Sequence, residues 1–432
     1  MRGNSKKQQQ QSFLYQGLSE QLNPTHPLYK LASKIPWDYF ESEFADKYIN
    51  FGRPGKPIRL MVSLLLLKQM YNQSDEAVVE RWMENPYWQY FSGEEQFQWN
   101  FPCDPTELVK FRQRLGSEGV EKIFEVTVLL HGKDAEEKEV IADTTCQEKN
   151  VAFPTDTNLH LSIIKFCWKT LDKENLKTRQ SYKRIIPKLL WQSRYRNTVK
   201  RRKEAISAER KLKVRAGRLL RELERNLSEE IMPRYAKTLE TARKILKQKK
   251  NDKNKIYSFH APEVSCIAKG KRHKKYEFGS KVSILMTKNS GIIVGAKNFQ
   301  GNPYDGKTLP DALSQYNKIF GKYPKAVLLD EGYRNPLHLE GVEFLRVHQK
   351  APKGYSKYRW RSRFKRRAAI EPVIGHLKSD YRMMRNYLKG TEGDEINLLL
   401  SSAAFNLRKL MQKLLFWVKF YLLNIYNFSF KN

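Results

Sequence analysis

The most constraining feature of this sequence is the spacing of short apolar runs in its second part. Val140-Ile141-Ala142 is the first run of β-strand character, and the next does not come for more than a hundred residues. After that gap, strand-like runs lie at 281–287, 291–299, 325–329 and 342–347, and helical patterns at 308–320 and 362–386. The order strand, insertion, strand, strand, helix, strand, strand, helix predicts a mixed α/β fold, with a mixed sheet flanked by helices.

The region before the first strand predicts a helical domain. Residues 1–25 are polar and rich in glutamine, so we expect a disordered or loosely attached tail. Within residues 26–138, the apolar run Met61–Tyr71 predicts a helix, and Asp104 followed by Pro105 is a typical helix start. A helix-turn-helix is compatible with this pattern, but the sequence does not identify a recognition helix.

Residues 158–255 predict a helical insertion within the α/β region. Apolar side chains recur there at helical spacing in two stripes, and we expect two packed helices. The stripes are Leu212, Ala216, Leu219, Leu223 and Leu227, and, after Pro233, Leu239, Ala242 and Leu246.

The same insertion is densely basic. Residues 160–255 contain 30 Lys and Arg against 10 Asp and Glu. A solvated helix face is the simpler explanation, but like charges repel at helical spacing unless an anion relieves them. We therefore predict that the insertion binds DNA, through residues that include Arg201, Arg202, Lys203, Lys211 and Lys213.

The net charge of the whole chain agrees with a polyanionic partner. It is +34, although residues 1–140 hold 17 Lys and Arg against 20 Asp and Glu. The basic surface therefore belongs to the rest of the chain. Nucleic acid is the favoured partner, and a ribosomal or membrane-surface protein is the alternative.

Other features favour a cytoplasmic protein. The four cysteines lack zinc-finger spacing and are expected to be reduced thiols, and the first residues lack the apolar core of a secretory signal. Residues 391–432 predict a C-terminal helical segment. Its apolar part, 414–430, is shorter than the roughly 20 residues of a membrane span and contains Lys419, so we expect a buried or interface helix.

Three carboxylates stand where a metal-dependent site needs them. Asp143 and Asp330 each end a strand-like run, so we expect both at one edge of the sheet. Glu371 lies on a predicted helix with Arg367 and Lys378 on the same face, because an α-helix turns once in 3.6 residues. Carboxylates are suited to hold two metal ions roughly 3.5–4 Å apart for phosphodiester cleavage. A surface ion pair between Arg367 and Glu371 is the alternative for that helix.

Four other residues near these motifs have ordinary structural explanations. Asp156 follows Phe-Pro-Thr and is expected to cap a helix. Asp305 lies in a Gly/Pro-rich turn, where aspartate is common. Glu331 would point to the opposite face from Asp330 if the strand continued, and His376 is expected to pack on its helix.

The chain contains, in this order, the segments Asp143-Thr144-Thr145, Leu329-Asp330-Glu331-Gly332-Tyr333-Arg334 and Arg367-x3-Glu371-x6-Lys378. Together they resemble the DDE signatures of bacterial insertion-sequence transposases, whose last signature is Y-x2-R-x3-E-x6-K. Phe364 stands where the tyrosine usually does, which affects that hydroxyl contact but neither the carboxylate ligands nor the two cations. The similarity extends to QEKNVAFPTDTNL after Asp143, GNPYDGKTL at 301–309, and NLLLSSAAFNLRKL at 397–410.

The resemblance implies an RNase H-like catalytic domain, which residues 139–157 and 256–390 would form. It also implies a DNA transposase that cleaves DNA and transfers strands with two Mg²⁺ ions, for which Mn²⁺ would substitute. Asp143 and Asp330 would hold both ions, and Glu371 would complete one coordination sphere.

The DNA contacts implied by the resemblance surround this site. Arg367 and Lys378 would contact phosphates, and Tyr333 and Arg334 would hold DNA near the scissile bond. The expected partners are double-stranded DNA, as the terminal inverted repeats and the target, and further copies of the chain assembled on it.

Two other functions stay open at this point. One is a transposase-derived DNA-binding protein without catalytic activity. The presence of all three carboxylates, Asp143, Asp330 and Glu371, argues against it. An RNase H-like nuclease that cuts but never joins DNA is the other.

Overall fold

The computed structural model describes residues 17–48, 54–249, 251–268, 275–334, 339–347 and 356–429. They form two compact units. The sheet unit contains the described residues up to 148, those of 281–299 and those from 303 onward, and the insertion unit contains those of 149–280 and 300–302. The insertion unit thus exceeds the predicted insertion on both sides, while the predicted division of the rest into three domains stays a prediction.

The N-terminal part of the sheet unit is helical, as predicted. Helix α4 is buried along nearly its whole length because it is apolar on every face. Helix α7 begins after Asp104, whose side chain accepts a hydrogen bond from the amide of Thr106. The helices are α1 Leu18–Gln21, α2 Pro27–Lys34, α3 Trp37–Glu43, α4 Ile58–Met70, α5 Asp75–Glu84, α6 Pro86–Phe91 and α7 Pro105–Leu129.

The end of the predicted polar tail is structured, in contrast to the expectation. Leu18 in α1 is buried, and its amide donates to the carbonyl of Glu95. Leu22, directly after α1, is also buried, so two leucines in a polar stretch attach this segment. Residues 1–16 lie outside the described part of the chain.

A mixed sheet follows, and it confirms the predicted α/β class. Its order is β2-β3-β1-β5-β6, with β4 also paired to β3. Strand β5 is parallel to β1 and β6, whereas β3 is antiparallel to β2 and β4. With its flanking helices, this sheet is consistent with an RNase H-like fold. The strands are β1 Glu139–Glu148, β2 Ser265–Ala268, β3 Tyr276–Thr287, β4 Ile293–Phe299, β5 Ala326–Leu329 and β6 Glu343–Arg346.

Two details of the sheet differ from the sequence prediction. Strand β1 continues to Glu148, so Asp143 lies inside the strand and not at its end. Strand β2 is short and largely half-buried, and its pattern SCIA gives no clear alternation, which explains why it was missed.

The predicted long helix over 362–386 is interrupted. Helix α13 spans Lys357–Phe364, a 3₁₀ turn spans Arg367–Ala369, and helix α14 spans Ile370–Ser379. Pro372 explains the break, because it has no N–H to donate to the carbonyl four residues earlier but is tolerated in the first turn of a new helix. The remaining helices of this unit are α12, Asp305–Phe320, and α15, Gly390–Ser429.

One continuous apolar core holds the N-terminal helices, the sheet and α15 together. Among the described residues, no helix is long and apolar enough to cross a membrane. The side chains of α15 beyond Leu415 lie outside the described part, so the expected burial of 414–430 stays a prediction.

The insertion unit has its own apolar core. The two predicted stripes are confirmed on helices α10, Arg202–Asn226, and α11, Met232–Lys247, although Leu246 is only partly buried. The prediction of two helices was incomplete, because α8, Asp156–Lys173, and α9, Ile185–Ser193, complete this core.

Two smaller expectations concern single side chains. The cap of α8 is Thr155, whose side chain accepts from the amide of Asn158, so the expected cap at Asp156 was wrong by one residue. The four cysteines are free, as expected, and three of them are buried.

Candidate active site

The register of two parallel strands relates Asp143 to Asp330. Strands β1 and β5 pair Glu139 with Ala326 and Ile141 with Leu328, an offset of 187 positions. The same offset relates Asp143 to Asp330, which directly follows β5. Since adjacent strands lie about 4.8 Å apart, the two aspartates would lie side by side if this register continues two residues past its last pair.

The same local hydrogen bond orients each of these carboxylates. Asp143 Oδ1 accepts from the amide of Thr144 at 2.7 Å, and Asp330 Oδ1 accepts from the amide of Glu331 at 2.7 Å. Asp143 is half-buried, and the side chain of Asp330 is 48% exposed. Both carboxylates are therefore held in place but stay accessible.

Arg367 links Asp330 to Glu371. Its Nη1 lies 3.6 Å from Asp330 Oδ1, and its Nη2 lies 3.3 Å from Glu371 Oε1. The Arg367 side chain is only 13% exposed, whereas that of Glu371 is 64% exposed. The ion pair proposed as the alternative for this helix is present, but it is part of a larger contact that joins two carboxylates 41 positions apart.

The three carboxylates are not gathered into a ready metal site. Among the described residues, no three His, Cys, Asp or Glu side chains are grouped closely enough to hold an ion. The Arg367 guanidinium supplies the positive charge that Asp330 and Glu371 share in this conformation. The donor chemistry nevertheless fits a divalent cation, because carboxylates on a rigid sheet attract a cation at this place and are the oxygen ligands that Mg²⁺ prefers.

Tyr333 is buried, and the charges of the carboxylates act on it. Its side chain is 1% exposed, so it offers no surface to DNA in this conformation. Burial raises the pKa of its hydroxyl well above the ordinary value, and the charges of Asp143, Asp305 and Asp330 raise it further. A third aspartate, Asp305, is therefore close enough to Tyr333 for its charge to act on the same hydroxyl.

Asp305 belongs to a polar cluster that the sequence did not reveal. Its Oδ1 accepts a hydrogen bond from Thr144 Oγ1 at 2.7 Å and lies 2.5 Å from Lys281 Nζ. The interpretation of Asp305 as ordinary turn chemistry was incomplete, because it is the first residue of α12 and contacts the strand that carries Asp143. Thr144 and Asp305 are 161 positions apart, so no local sequence pattern predicts their contact.

The other predicted residues around the site take varied positions. Arg334 is exposed, Lys378 is half-buried on α14, and Phe364 is buried against Trp360. His376 was expected to pack, but it is exposed and its Nδ1 lies 2.7 Å from Asp380 Oδ2. Glu331 is exposed in the loop, because β5 has already ended at Leu329.

The predicted DNA-binding residues of the insertion unit are not equivalent. Arg202, Lys203, Lys211 and Lys213 are exposed on α10. Arg201 instead contacts Glu204, with Nε 2.9 Å from Oε2, and lies over the ring of Tyr195 at 3.6 Å from its centroid. The four exposed cations are thus better placed for phosphates than Arg201.

Comparison with known proteins gives two family matches. Residues 16–114 match the profile of a transposase domain (DUF772), and residues 235–407 match the profile of a transposase DDE domain. The second match includes Asp330 and Glu371. Asp143 lies outside both, so its place in the site depends on the β1–β5 register.

A curated protein of Rhizobium meliloti, "Uncharacterized protein ORF8 in nfe locus", is 41% identical over 169 residues, which cover 38% of this chain and 82% of that protein. No solved structure matches the chain. The DDE domain implies a divalent-metal-dependent enzyme that acts on DNA. The two profiles, the mixed sheet and the order of the acidic motifs show that this chain belongs to the insertion-sequence transposases.

Proposed function

We propose that this transposase cleaves the ends of its element and joins them to target DNA at a two-metal site formed by Asp143, Asp330 and Glu371. The observation that carries the proposal is the β1–β5 register, whose offset of 187 positions also relates Asp143 to Asp330. The contact of Arg367 with Asp330 and Glu371 supports the third position.

In this proposal Asp143 and Asp330 would hold both ions, and Glu371 would complete the ligand set of one. We propose Mg²⁺ as the ion, with Mn²⁺ able to replace it. When bound, such ions stabilise developing negative charge and activate the attacking hydroxyl group. This chain's part is to hold the carboxylates rigidly, through the amides of Thr144 and Glu331.

Arg367 has a second task in this proposal. Its guanidinium, which contacts Asp330 and Glu371, would also contact a DNA phosphate, for which its planar fork is suited. Lys378, on the same helix as Glu371, supplies a further positive charge near the substrate.

Binding of the DNA duplex falls mainly to the insertion unit. Its α10 displays exposed cations, and the segment 160–255 carries far more basic than acidic residues. We propose that it holds the inverted-repeat and target duplexes by phosphate contacts, which position a protein without reading bases. We also propose that the chain acts in the cytoplasm, as a homo-oligomer assembled on DNA.

A strand-transfer assay tests the function. Purified protein is incubated with a pre-cut element end bearing a 3′-hydroxyl, a supercoiled target plasmid, and Mg²⁺ or Mn²⁺. The proposal expects joined products that disappear with EDTA and with Asp330→Asn. Cutting without joining would indicate a nuclease, and DNA binding with neither reaction would indicate a non-catalytic DNA-binding protein.

A further inference from the structure

A chain of three polar side chains ends at the backbone that orients Asp143. Lys281 Nζ donates to the carbonyl of Pro303 at 2.6 Å and lies 2.5 Å from Asp305 Oδ1. Asp305 Oδ1 also accepts from Thr144 Oγ1, and the amide of Thr144 in turn donates to Asp143 Oδ1. All of these residues belong to the sheet unit.

The surroundings of Asp305 restrict where its carboxylate can go. Lys281 is 8% exposed, so its ammonium group is withdrawn from water and depends on this partner. On the other side, a Cβ added to Gly332 would lie 3.0 Å from Asp305 Oδ2, which shows how closely the loop after Asp330 approaches. Asp305 is therefore held between β3, β1 and the loop that follows β5.

We propose that Asp305, held by Lys281, is a positioning residue that fixes Thr144 and through it the carboxylate of Asp143. Hydrogen bonds to the groups around a metal ligand commonly control the affinity of the site, because they set the orientation of the ligand before the ion arrives. The inference builds on the proposed function, since it assumes that Asp143 is a metal ligand.

A direct role of Asp305 as a ligand is the main competing explanation. Its Oδ1 already accepts a hydrogen bond from the Thr144 hydroxyl and pairs with the Lys281 ammonium group, whose positive charge balances that of the carboxylate. The structure thus favours Asp305 as a residue that positions Thr144. The positioning role and the ligand role predict different Mn²⁺ affinities for a protein in which both Asp305 and Thr144 are substituted.

The test is a Mn²⁺ titration of the full-length protein, followed by electron paramagnetic resonance of the free ion. Thr144→Val removes the hydroxyl but keeps the branched shape and the backbone amide, and Thr144→Ser restores the hydroxyl. We expect Thr144→Val to weaken Mn²⁺ binding about 10-fold, at the lower end of the effect of such supporting residues, and Thr144→Ser to bind like the wild type.

Thr308→Val is the matched control. It deletes a buried threonine hydroxyl that donates to the backbone carbonyl of Asp305 and not to its carboxylate, so it should alter thermal stability without altering Mn²⁺ affinity. A Thr144→Val affinity no weaker than that of Thr308→Val would overturn the inference.

Asp305→Ala and the double variant Asp305→Ala/Thr144→Val complete the experiment. If Asp305 acts through Thr144, the double variant binds Mn²⁺ no more weakly than Asp305→Ala alone, because residues of one chain of contacts are not additive. Additive losses would contradict the inference and identify Asp305 as a direct ligand. If Asp305→Ala does not fold, the Thr144 variants still decide the question.

Asp143→Asn separates this inference from the proposed function. If it leaves Mn²⁺ affinity unchanged, the proposed site is wrong and the positioning role fails with it. If it weakens binding while Thr144→Val does not, the site stands and only the positioning role of Asp305 and Thr144 is overturned.

Discussion

The N-terminal helices and the insertion helices both bury apolar side chains, but the two regions carry opposite net charge. Residues 1–140 hold 17 basic and 20 acidic residues, whereas residues 160–255 hold 30 and 10. The N-terminal helices bury their apolar faces in the core that also contains the sheet, while the insertion has a core of its own. The N-terminal helices thus form part of the core that contains the sheet, whereas the insertion helices form a separate and strongly basic unit.

The two regions also differ in whether their charged side chains are paired. In the N-terminal region Asp75 contacts both Lys68, at 2.8 Å, and Arg112, at 2.6 Å, and all three side chains are largely buried. In the insertion, the acidic residues are too few to pair with most of the basic ones. Charge in the first region stabilises the fold, and charge in the second is available to a partner.

The largest expected effect comes from neutralising the insertion. Replacing its five predicted DNA-binding cations by Gln should lower the salt dependence of binding to random duplex by about 3.6 log–log units, since each of the four exposed cations contributes about 0.9, whereas Arg201 is paired with Glu204. Filter binding between low and moderate salt measures this slope. The five substituted residues are Arg201, Arg202, Lys203, Lys211 and Lys213.

The matched control for that variant neutralises five cations of the N-terminal region. It should leave the salt dependence of duplex binding nearly unchanged, and an equal loss in the two variants would remove the contrast between the regions. The control residues are Lys30, Lys34, Lys47, Lys110 and Lys133.

The next effect is the loss of a buried charge in the N-terminal region. Burial raises the pKa of Asp75, but the hydrogen bonds and charges of Arg112 and Lys68 outweigh it and hold that pKa below the ordinary value. Asp75→Asn leaves two buried cations without their counter-ion and should destabilise the protein by about 3–5 kcal/mol in urea unfolding at pH 7. The exposed Asp46→Asn is the control and should stay within about 0.5 kcal/mol of the wild type.

The smallest expected effect is an acid sensitivity of the insertion unit. Burial, opposed by the charge of Asp156 and assisted by that of Lys213, lowers the pKa of His160 from 6.5 to about 4. Between pH 6.5 and pH 4, His160 is protonated in the unfolded chain but stays neutral in the folded unit. The free energy of unfolding that is present above pH 6.5 therefore falls by roughly 3 kcal/mol as the pH is lowered towards 4. Hydrogen exchange of amides in α8, measured across this range, follows the loss.

His160→Gln should flatten that pH dependence, and His260→Gln, at an exposed histidine of the same unit, should not. If the two variants behave alike, the acid sensitivity has another source. For Asp75, whose pKa is depressed, the corresponding stability is lost only at lower pH, as the carboxylate is protonated.

The sequence predicted five of the six described strands, because each of the five is a short apolar run bounded by polar residues, whereas β2 was missed. The sequence prediction was wrong where contacts between distant parts of the chain determine where an element ends. Asp143 was expected at a strand end because the apolar run stops at Ala142, but β1 continues since Thr145, Cys146 and Gln147 are also buried. Pro372 shows that a single residue can break a helix whose overall periodicity predicts continuity.

The candidate site was predictable only in part, for the same reason. Asp330 and Glu371 belong to motifs with recognisable spacing, and both lie within the matched DDE segment. The cluster of Thr144, Lys281 and Asp305 joins β1, β3 and α12, and nothing in the local sequence of any one of them indicates the other two.

The central claim is that Asp143, Asp330 and Glu371 serve catalysis, while the affinity for DNA comes from other residues, chiefly those of the insertion unit. Asp143→Asn, Asp330→Asn and Glu371→Gln each keep the shape of the side chain but remove a metal-ligand charge. Nicking of an element end and affinity for the same DNA should be measured on each variant at saturating Mg²⁺. The account predicts that each variant loses nicking while it binds DNA like the wild type. Near-normal nicking by any one of them, or a parallel loss of binding and nicking, would contradict it.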